Sequence, residues 1–267
     1  MLFRSRPHAD LSGAINGWTG AHAPDCDFVA EDQVGHTVWV IDDAAVVAGL
    51  ARIFAGIDYL YIADGHHRCA SAFRVGEKRR AAFPDYTGGE EFNFFLSVIF
   101  PSDQLEIMDY NRVVQDLNGN TPGQFLEKLG ESFTVEEHDG ICKPARKHTF
   151  GMYLGGKWYC LRAKPGTFDG NDPVSRLDVS ILQNKVLDGI LGIDDPRTDT
   201  RIDFVGGIRG LGELERRVRN GMAAAFAMYP TGLDDLMAIA DADLIMPPKS
   251  TWFEPKLRSG LFIHNLH

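Results

Sequence analysis

Four chemically able residues in five, Asp64, His66, His67 and Arg68 around Gly65, follow directly on the apolar run 60–63 and lead into Cys69, Ala70, Ala72 and Phe73. The run reads as the end of a buried strand and the residues after it as the apolar stripe of a helix, which predicts the polar cluster at a strand-to-helix turn. Such a turn can hold an anion. Glycine lets the backbone approach closely, and the first N–H groups of the helix are unpaired and carry the positive end of its dipole. Arg68 would add a bidentate fork, and the histidines further donors or a base. A simpler reading makes Asp64 an N-cap and the histidines structural. Against it stands the cost, several kcal/mol as an order of magnitude, of desolvating so many polar groups without a partner.

With 267 residues, 44% of them hydrophobic, the chain can bury one large core or two smaller ones. A formal net charge of -10 argues against a nucleic-acid partner for the surface as a whole. No stretch approaches the roughly 18 apolar residues that span a bilayer, and the N-terminus lacks the apolar core of a signal peptide. The expectation is a soluble, cytoplasmic protein with no membrane partner. The four cysteines, Cys26, Cys69, Cys142 and Cys160, lack the short C-x-x-C spacing of a zinc site or redox pair. Cys69 sits beside the histidines, where its thiol could be activated, but its small apolar neighbours favour packing.

Along the chain, residues 1–34 show no sustained period and read as loops and edge pieces. Residues 36–41 read as a strand, and Asp42-Asp43 as the cap of a helix with Val46, Val47, Leu50, Ile53 and Phe54 at helical spacing. Strand, helix, strand, helix therefore runs from 36 to 80, a βαβα order. The run 92–100 reads as a buried strand, and Thr121-Pro122 as a helix start with Pro at its first position. Residues 133–138, 149–154 and 157–162 alternate like strands, the last two joined across Gly155-Gly156 as a hairpin. From Pro173 the apolar stripe of Leu177, Val179, Ile181, Leu182, Val186, Leu187, Ile190 and Leu191 predicts a helix. A strand at 202–207, a charged helix at 211–219, a strand at 223–228, a helix at 233–240 and a last strand at 261–265 complete the chain. The fold class is α/β in the mixed α+β sense, with an antiparallel element and a C-terminal α/β portion. Glycines and prolines at 165–175 suggest regions 1–170 and 171–267.

A second dense cluster lies in the tail, Met246-Pro247-Pro248-Lys249-Ser250-Thr251-Trp252-Phe253-Glu254-Pro255-Lys256-Leu257-Arg258-Ser259-Gly260. Lys249, Ser250, Lys256 and Arg258 could bind phosphate or a carboxylate, with Trp252 and Phe253 anchoring the loop by burial. The same residues also suit a stiff surface crossing. If the two clusters share one anion, Lys249, Lys256 or Arg258 should lie at the mouth of a pocket containing Asp64, His67 and Arg68.

These two motifs, in this order and with Asp203-Phe204 and residues 223–230 between them, resemble the bacterial and archaeal family catalogued as domain of unknown function 1015 over nearly the whole chain. Members of that family are longer at the N-terminus, and the resemblance implies a short member or a fragment. More loosely, Asp64-Gly65-His66-His67-Arg68 is similar to a motif of the ParB/sulfiredoxin-like superfamily, where the turn binds nucleotide phosphates. Free serine kinases of that superfamily carry a closely similar run. The resemblance implies a ParB/sulfiredoxin-like core over residues 36–80, and a phosphoryl group moved between a nucleotide and serine. The upstream glutamate that serves those kinases as base has no clear counterpart among Glu31, Asp32, Asp42 and Asp43.

The expected function is phosphoryl transfer or phosphate-ester chemistry on a small hydroxylated metabolite, serine or phosphoserine first. The ligand would be a small phosphorylated molecule, with ATP or ADP and Mg²⁺ as cofactors. Asp64, His66 and His67 are the candidate catalytic residues, and Asp64 is also the candidate Mg²⁺ ligand. Gly65, Arg68, Lys249, Ser250, Lys256 and Arg258 are the candidate phosphate-binding residues. A nucleotide-binding regulatory module without turnover is the alternative. A metal hydrolase ranks last, because adjacent histidines on a helix start point about 100° apart.

Overall fold

A computed structural model of the protein describes residues 2–5, 7–255, 258 and 260–265, with the side chains of Leu2, Arg4, His66 and His67 outside the description. The chain divides into two compact units, Met1–Leu105 with Leu257–His267, and Glu106–Lys256. The glycine- and proline-bearing residues 165–175 lie inside the second unit. Both units mix helices with strands, as a mixed α/β chain should.

The first unit begins with strand β1 (Leu2–Ser5), helix α1 (Ala9–Ala21), and the hairpin of β2 (Cys26–Val29) with β3 (Gly35–Val38). Residues 1–34, expected as loops, are therefore largely regular. The opening helix escapes a periodicity search because only Leu11 of its residues is buried, leaving no apolar stripe to read. Helix α2 (Ala44–Ala55) starts where the sequence places it. The Asp43 carboxylate accepts from the N–H groups of Ala45 and Val46 and satisfies two of the helix's orphan donors. Strand β4 (Tyr61–Asp64) and helix α3 (His66–Ala82) follow, then β5 (Val98–Pro101).

The strand-helix-strand-helix order from β3 to α3 is present, but its strands lie in different sheets. β1 is the centre of a three-stranded sheet, pairing antiparallel with β4 and parallel with β5, while β3 pairs only with β2. The expected buried strand 92–100 is also shorter. A 3₁₀ turn occupies Glu91–Asn93, Phe94, Phe95 and Leu96 are exposed, and the described strand begins at Val98, as β5 paired with β1. An apolar run alone does not distinguish a strand from a segment that merely lies on a surface. Residues 261–265 form bends and coil rather than the expected last strand.

The second unit carries β6 (Glu106–Met108), β7 (Tyr110–Val114), α4 (Pro122–Ser132), β8 (Phe133–His138), β9 (Thr149–Leu154), β10 (Lys157–Ala163), α5 (Asp178–Leu182), β11 (Ile202–Gly206), α6 (Gly212–Arg219), β12 (Ala224–Ala227), α7 (Leu233–Asp241) and β13 (Trp252–Glu254). Thr121 and Gln124 form a reciprocal capping box at α4, with Pro122 at the first helical position. Gly155 and Gly156 adopt positive φ, +58° and +85°, as a tight hairpin between β9 and β10 demands. The stripe expected to form a helix from Pro173 onward is regular only from Asp178. The Asp172 carboxylate instead takes the N–H groups of Val174 and Ser175 in a turn, and α5 passes into a π-helical segment, Gln183–Asp188.

Six strands make one antiparallel sheet in the order β11-β7-β12-β9-β10-β8. Both faces are covered, and successive residues alternate between two apolar clusters, as the strand period requires. Val114, Met152, Leu161 and Phe226 join Phe125, Leu129, Leu182 and Leu187 on one face, whereas Val113, Tyr153, Trp158, Val205 and Ala225 meet Leu214 of α6 on the other. Cys142 and Cys160 form a disulfide on the second face, a pairing their spacing does not announce. Gly151 makes it possible. It sits opposite Cys160 in the β9–β10 register, and a Cβ there would run into the carbonyl oxygen of Cys142. Gly151→Ala should therefore lower stability by about 1–3 kcal/mol, the usual cost of overpacking, in urea unfolding of the oxidised protein.

Candidate functional site

The turn between β4 and α3 forms as the sequence implies. Gly65 takes the left-handed region at φ +91°, a conformation that costs glycine nothing and a side-chain-bearing residue a clash. The chain can then reverse from a strand end into the 17-residue helix α3, which has no side-chain N-cap. Asp64 bonds locally, its Oδ1 accepting from the Gly65 N–H at 2.9 Å. Arg68 folds back from the first turn, so a Cβ on Gly65 would meet its Nε and Nη2 at 3.0 Å each. Its Nη2 lies 3.7 Å from Asp64 Oδ2, in a pair with side-chain exposures of 66% and 47%. An exposed pair of this kind contributes about 0–1 kcal/mol, so it leaves the guanidinium open to exchange partners. The side chains of His66 and His67 lie outside the described atoms, although both residues stand in the first turn of the helix. Cys69, in the same turn, is a free and partly buried thiol.

The tail residues divide between the units. Arg258, in the first, pairs with Asp32, Nη2 to Oδ1 at 2.6 Å, and the Val34 N–H together with Arg258 holds the Asp32 carboxyl below its usual range. Lys249 and Ser250 belong to the second unit, and Lys256 lies outside the described residues. Ser250 is buried, with its hydroxyl donating to the Pro247 carbonyl at 2.7 Å, while its own carbonyl accepts from the Thr231 hydroxyl at 2.8 Å. Its donor is thus committed to shaping the loop. Lys249 has φ +58° and places Nζ 5.6 Å from the Phe204 ring centroid. β13 anchors the motif by pairing with β6, where Phe253 is 2% exposed. The Trp252 ring closes on Gly206, at which a Cβ would stand 2.7 Å from it.

Two groups that the sequence reading passed over emerge in the second unit. Arg112, within β7, is 4% exposed, and its guanidinium donates to the carbonyls of Tyr110 and Lys249, the latter at 2.9 Å. Burial pushes its pKa down to about 10, Tyr110 opposing. The available signal was an arginine between Asn111 and the apolar pair Val113-Val114 in a short strand.

Asp178, at the start of α5, accepts from the His148 N–H through Oδ1 at 2.8 Å and buries Oδ2 without a hydrogen-bond partner among the described residues. Asp235 stands nearby, held by Lys147 at 2.5 Å and Arg176 at 3.7 Å. Burial raises the Asp178 pKa to about 7, the His148 N–H opposing and the Asp235 charge adding to it. Among the described residues no group of three or more His, Cys, Asp or Glu is placed to hold a metal ion, and no helix is long and apolar enough to cross a membrane.

The chain belongs to the family described as "Protein of unknown function (DUF1015)", whose model matches residues 1–180. Solved structures similar to it include free serine kinase in complex with AMP, at 17% identity and TM-score 0.42, covering 94% of this chain and 82% of that one. A mutant of free serine kinase in complex with ADP stands at 16% and 0.42, covering 94% and 83%. A conserved hypothetical protein from Pyrococcus furiosus stands at 13% and 0.39, covering 94% and 86%. No curated protein matches the sequence.

The Asp178 carboxyl has a direct consequence for stability. Its folded pKa of about 7 exceeds the ordinary aspartate value of about 3.8, so the folded state binds more protons between those values, and stability should fall by a few kcal/mol as pH rises from about 4 to about 7. Thermal unfolding of wild type against Asp178→Asn checks this. The variant, neutral throughout, should lose that part of the pH dependence.

Proposed function

We propose that the chain binds a phosphate-bearing ligand, a nucleotide first of all, at the β4–α3 turn and carries out phosphoryl transfer or phosphate-ester chemistry on a small hydroxylated metabolite. The observation that carries the reading is the placement of Arg68. Its guanidinium folds over a left-handed Gly65, which is itself the N-cap of α3. Charge-assisted N–H donors from the fork and the backbone N–H groups of the helix start are the groups that a phosphate dianion needs. Phosphoryl transfer asks the protein mainly for positioning and for stabilising charge on oxygen, and this turn offers both.

In the transfer reading, the metabolite's hydroxyl oxygen attacks the terminal phosphorus of ATP or ADP. The bond to the bridging oxygen breaks, and the hydroxyl proton passes to Asp64. A single half-exposed carboxylate also fits Mg²⁺, which takes one or two carboxylates together with phosphate oxygens and would neutralise charge on them. His66 and His67 enter the proposal from the sequence pattern, as donors or base. Serine or phosphoserine is the leading substrate, on the similarity of the Asp64-Gly65-His66-His67-Arg68 run to free serine kinases.

Arg68→Ala should weaken ADP binding by about 1.5–3 kcal/mol, the range for hydrogen bonds to charged groups, with little change in thermal stability because the Asp64 pair is exposed. Calorimetric titration and a melting curve check both halves. Mg²⁺-dependent exchange of phosphate between ATP or ADP and serine, or from phosphoserine, should be detectable with the purified chain. Binding without exchange would favour a nucleotide-binding module, and absence of both would remove the reading.

A further inference from the structure

The second unit carries a cavity of about 430 Å³, open to solvent on one side, a volume in the range of small-molecule sites. Arg112, Val179, Gln183, Leu187 and Phe204 are among its lining residues, with Pro247 and Pro248 beside them. Every one of these described residues lies in Glu106–Lys256. Its chemistry is set by Arg112. The side chain is 4% exposed, and among the described residues no carboxylate comes within ion-pair distance of it, its partners being the Tyr110 and Lys249 carbonyls. Carbonyl oxygens satisfy donors but supply no charge, and a buried cation without a counter-charge is costly. A guanidinium has five N–H donors in a planar fork, more than two carbonyls occupy.

A second cation stands close by. Arg112 Cζ and Lys249 Nζ lie 5.5 and 5.6 Å from the centroid of the same Phe204 ring, which lines the cavity. Two acids also line it. Asp195 is gripped by Arg197, with Nε at 2.9 Å and Nη2 at 2.8 Å, which offsets its charge. Asp194 is exposed and can accept from an ammonium or hydroxyl group. Gln183, whose amide donates to the carbonyls of Ile193 and Asp194 at 2.7 and 3.1 Å, opens the π-helical segment, an irregularity frequent at functional sites.

We propose that this cavity is a second ligand site, which takes a small metabolite through a carboxylate or phosphate group. Arg112 holds the oxyanion with Lys249 adding charge, and Phe204, Val179 and Leu187 cover the carbon skeleton. The site uses residues of the second unit and goes beyond the reading given for the turn at Asp64–Arg68.

The test is a calorimetric titration of the full chain with succinate and, separately, inorganic phosphate, in an Arg68→Ala background. That background removes the turn as a competing anion site, so failure here is distinct from failure of the nucleotide reading. Saturable binding of at least one probe is expected, and the one that binds names the oxyanion. Affinity should fall about tenfold or more in Arg112→Lys, which keeps charge but loses the fork, and by at least about threefold in Lys249→Asn, where Asn tolerates the left-handed backbone. Pro248→Glu, which adds a negative charge at an exposed lining position, should weaken binding by a similar factor and decides the matter if Arg112→Lys does not fold. No binding of either probe at 10 mM, roughly a hundred times a typical upper metabolite affinity of about 0.1 mM, or binding unchanged in the folded variants, overturns the proposal.

Discussion

One buried cation sets the course of the second unit. Within β7, Asn111, Val113 and Val114 are all 0% exposed and Arg112 4%, so the strand's polar side chains must find partners inside the protein. Asn111 accepts from the Met228 N–H at 2.8 Å, just beyond the end of β12, and Arg112 donates to the Lys249 carbonyl at 2.9 Å. These two bonds fasten the segments following β12 and α7 to β7, one strand in from the edge of the sheet. The loop of Pro247, Pro248, Lys249 and Ser250 is held against the sheet by that carbonyl, and the Ser250 hydroxyl closes it. β13 then pairs with β6, the strand that immediately precedes β7. The dense polar tail is thus in good part a device for satisfying a guanidinium. Two of its residues named as phosphate ligands, Lys249 and Ser250, contribute their backbone carbonyls to this scaffold.

The distinction between contributing a carbonyl and contributing a side chain matters for function. Ser250 has its hydroxyl proton committed to Pro247, whereas the Lys249 ammonium rests against an aromatic ring at a cavity edge. The first unit shows the converse arrangement. Arg68 is solvated, lightly paired and carried on a helix start, so a ligand can recruit it without breaking a buried network. One arginine is organised by the fold and the other stands ready for exchange.

Local rules made much of this legible. Asp43 and Thr121 cap the helices that their residue types announce, Gly155-Gly156 turns the hairpin, and Gly65 adopts the positive φ that a strand-to-helix reversal of this type needs. Each of these signals acts over a few residues and has a backbone cause. What stayed hidden depends on partners distant in sequence. α1 buries too little to show a stripe, and the apolar residues at 94–96 read as core although they are exposed. The Cys142–Cys160 bond depends on a missing Cβ at Gly151, and the roles of Arg112 and Asp178 depend on what surrounds them after folding. A charged residue such as Arg112 or Asp178 looks the same in sequence whether it ends as a structural tie or as part of a site.

The central claim is that the turn after β4 receives a phosphate, and amide NMR reads it most directly. The ¹⁵N-labelled chain titrated with ADP and Mg²⁺ should show its largest saturable shifts at the N–H groups of residues 65–69, with the Arg68 side-chain Nε–H moving in step. Saturable ADP binding that leaves those amides in place would contradict the account, and would assign the nucleotide to another part of the chain.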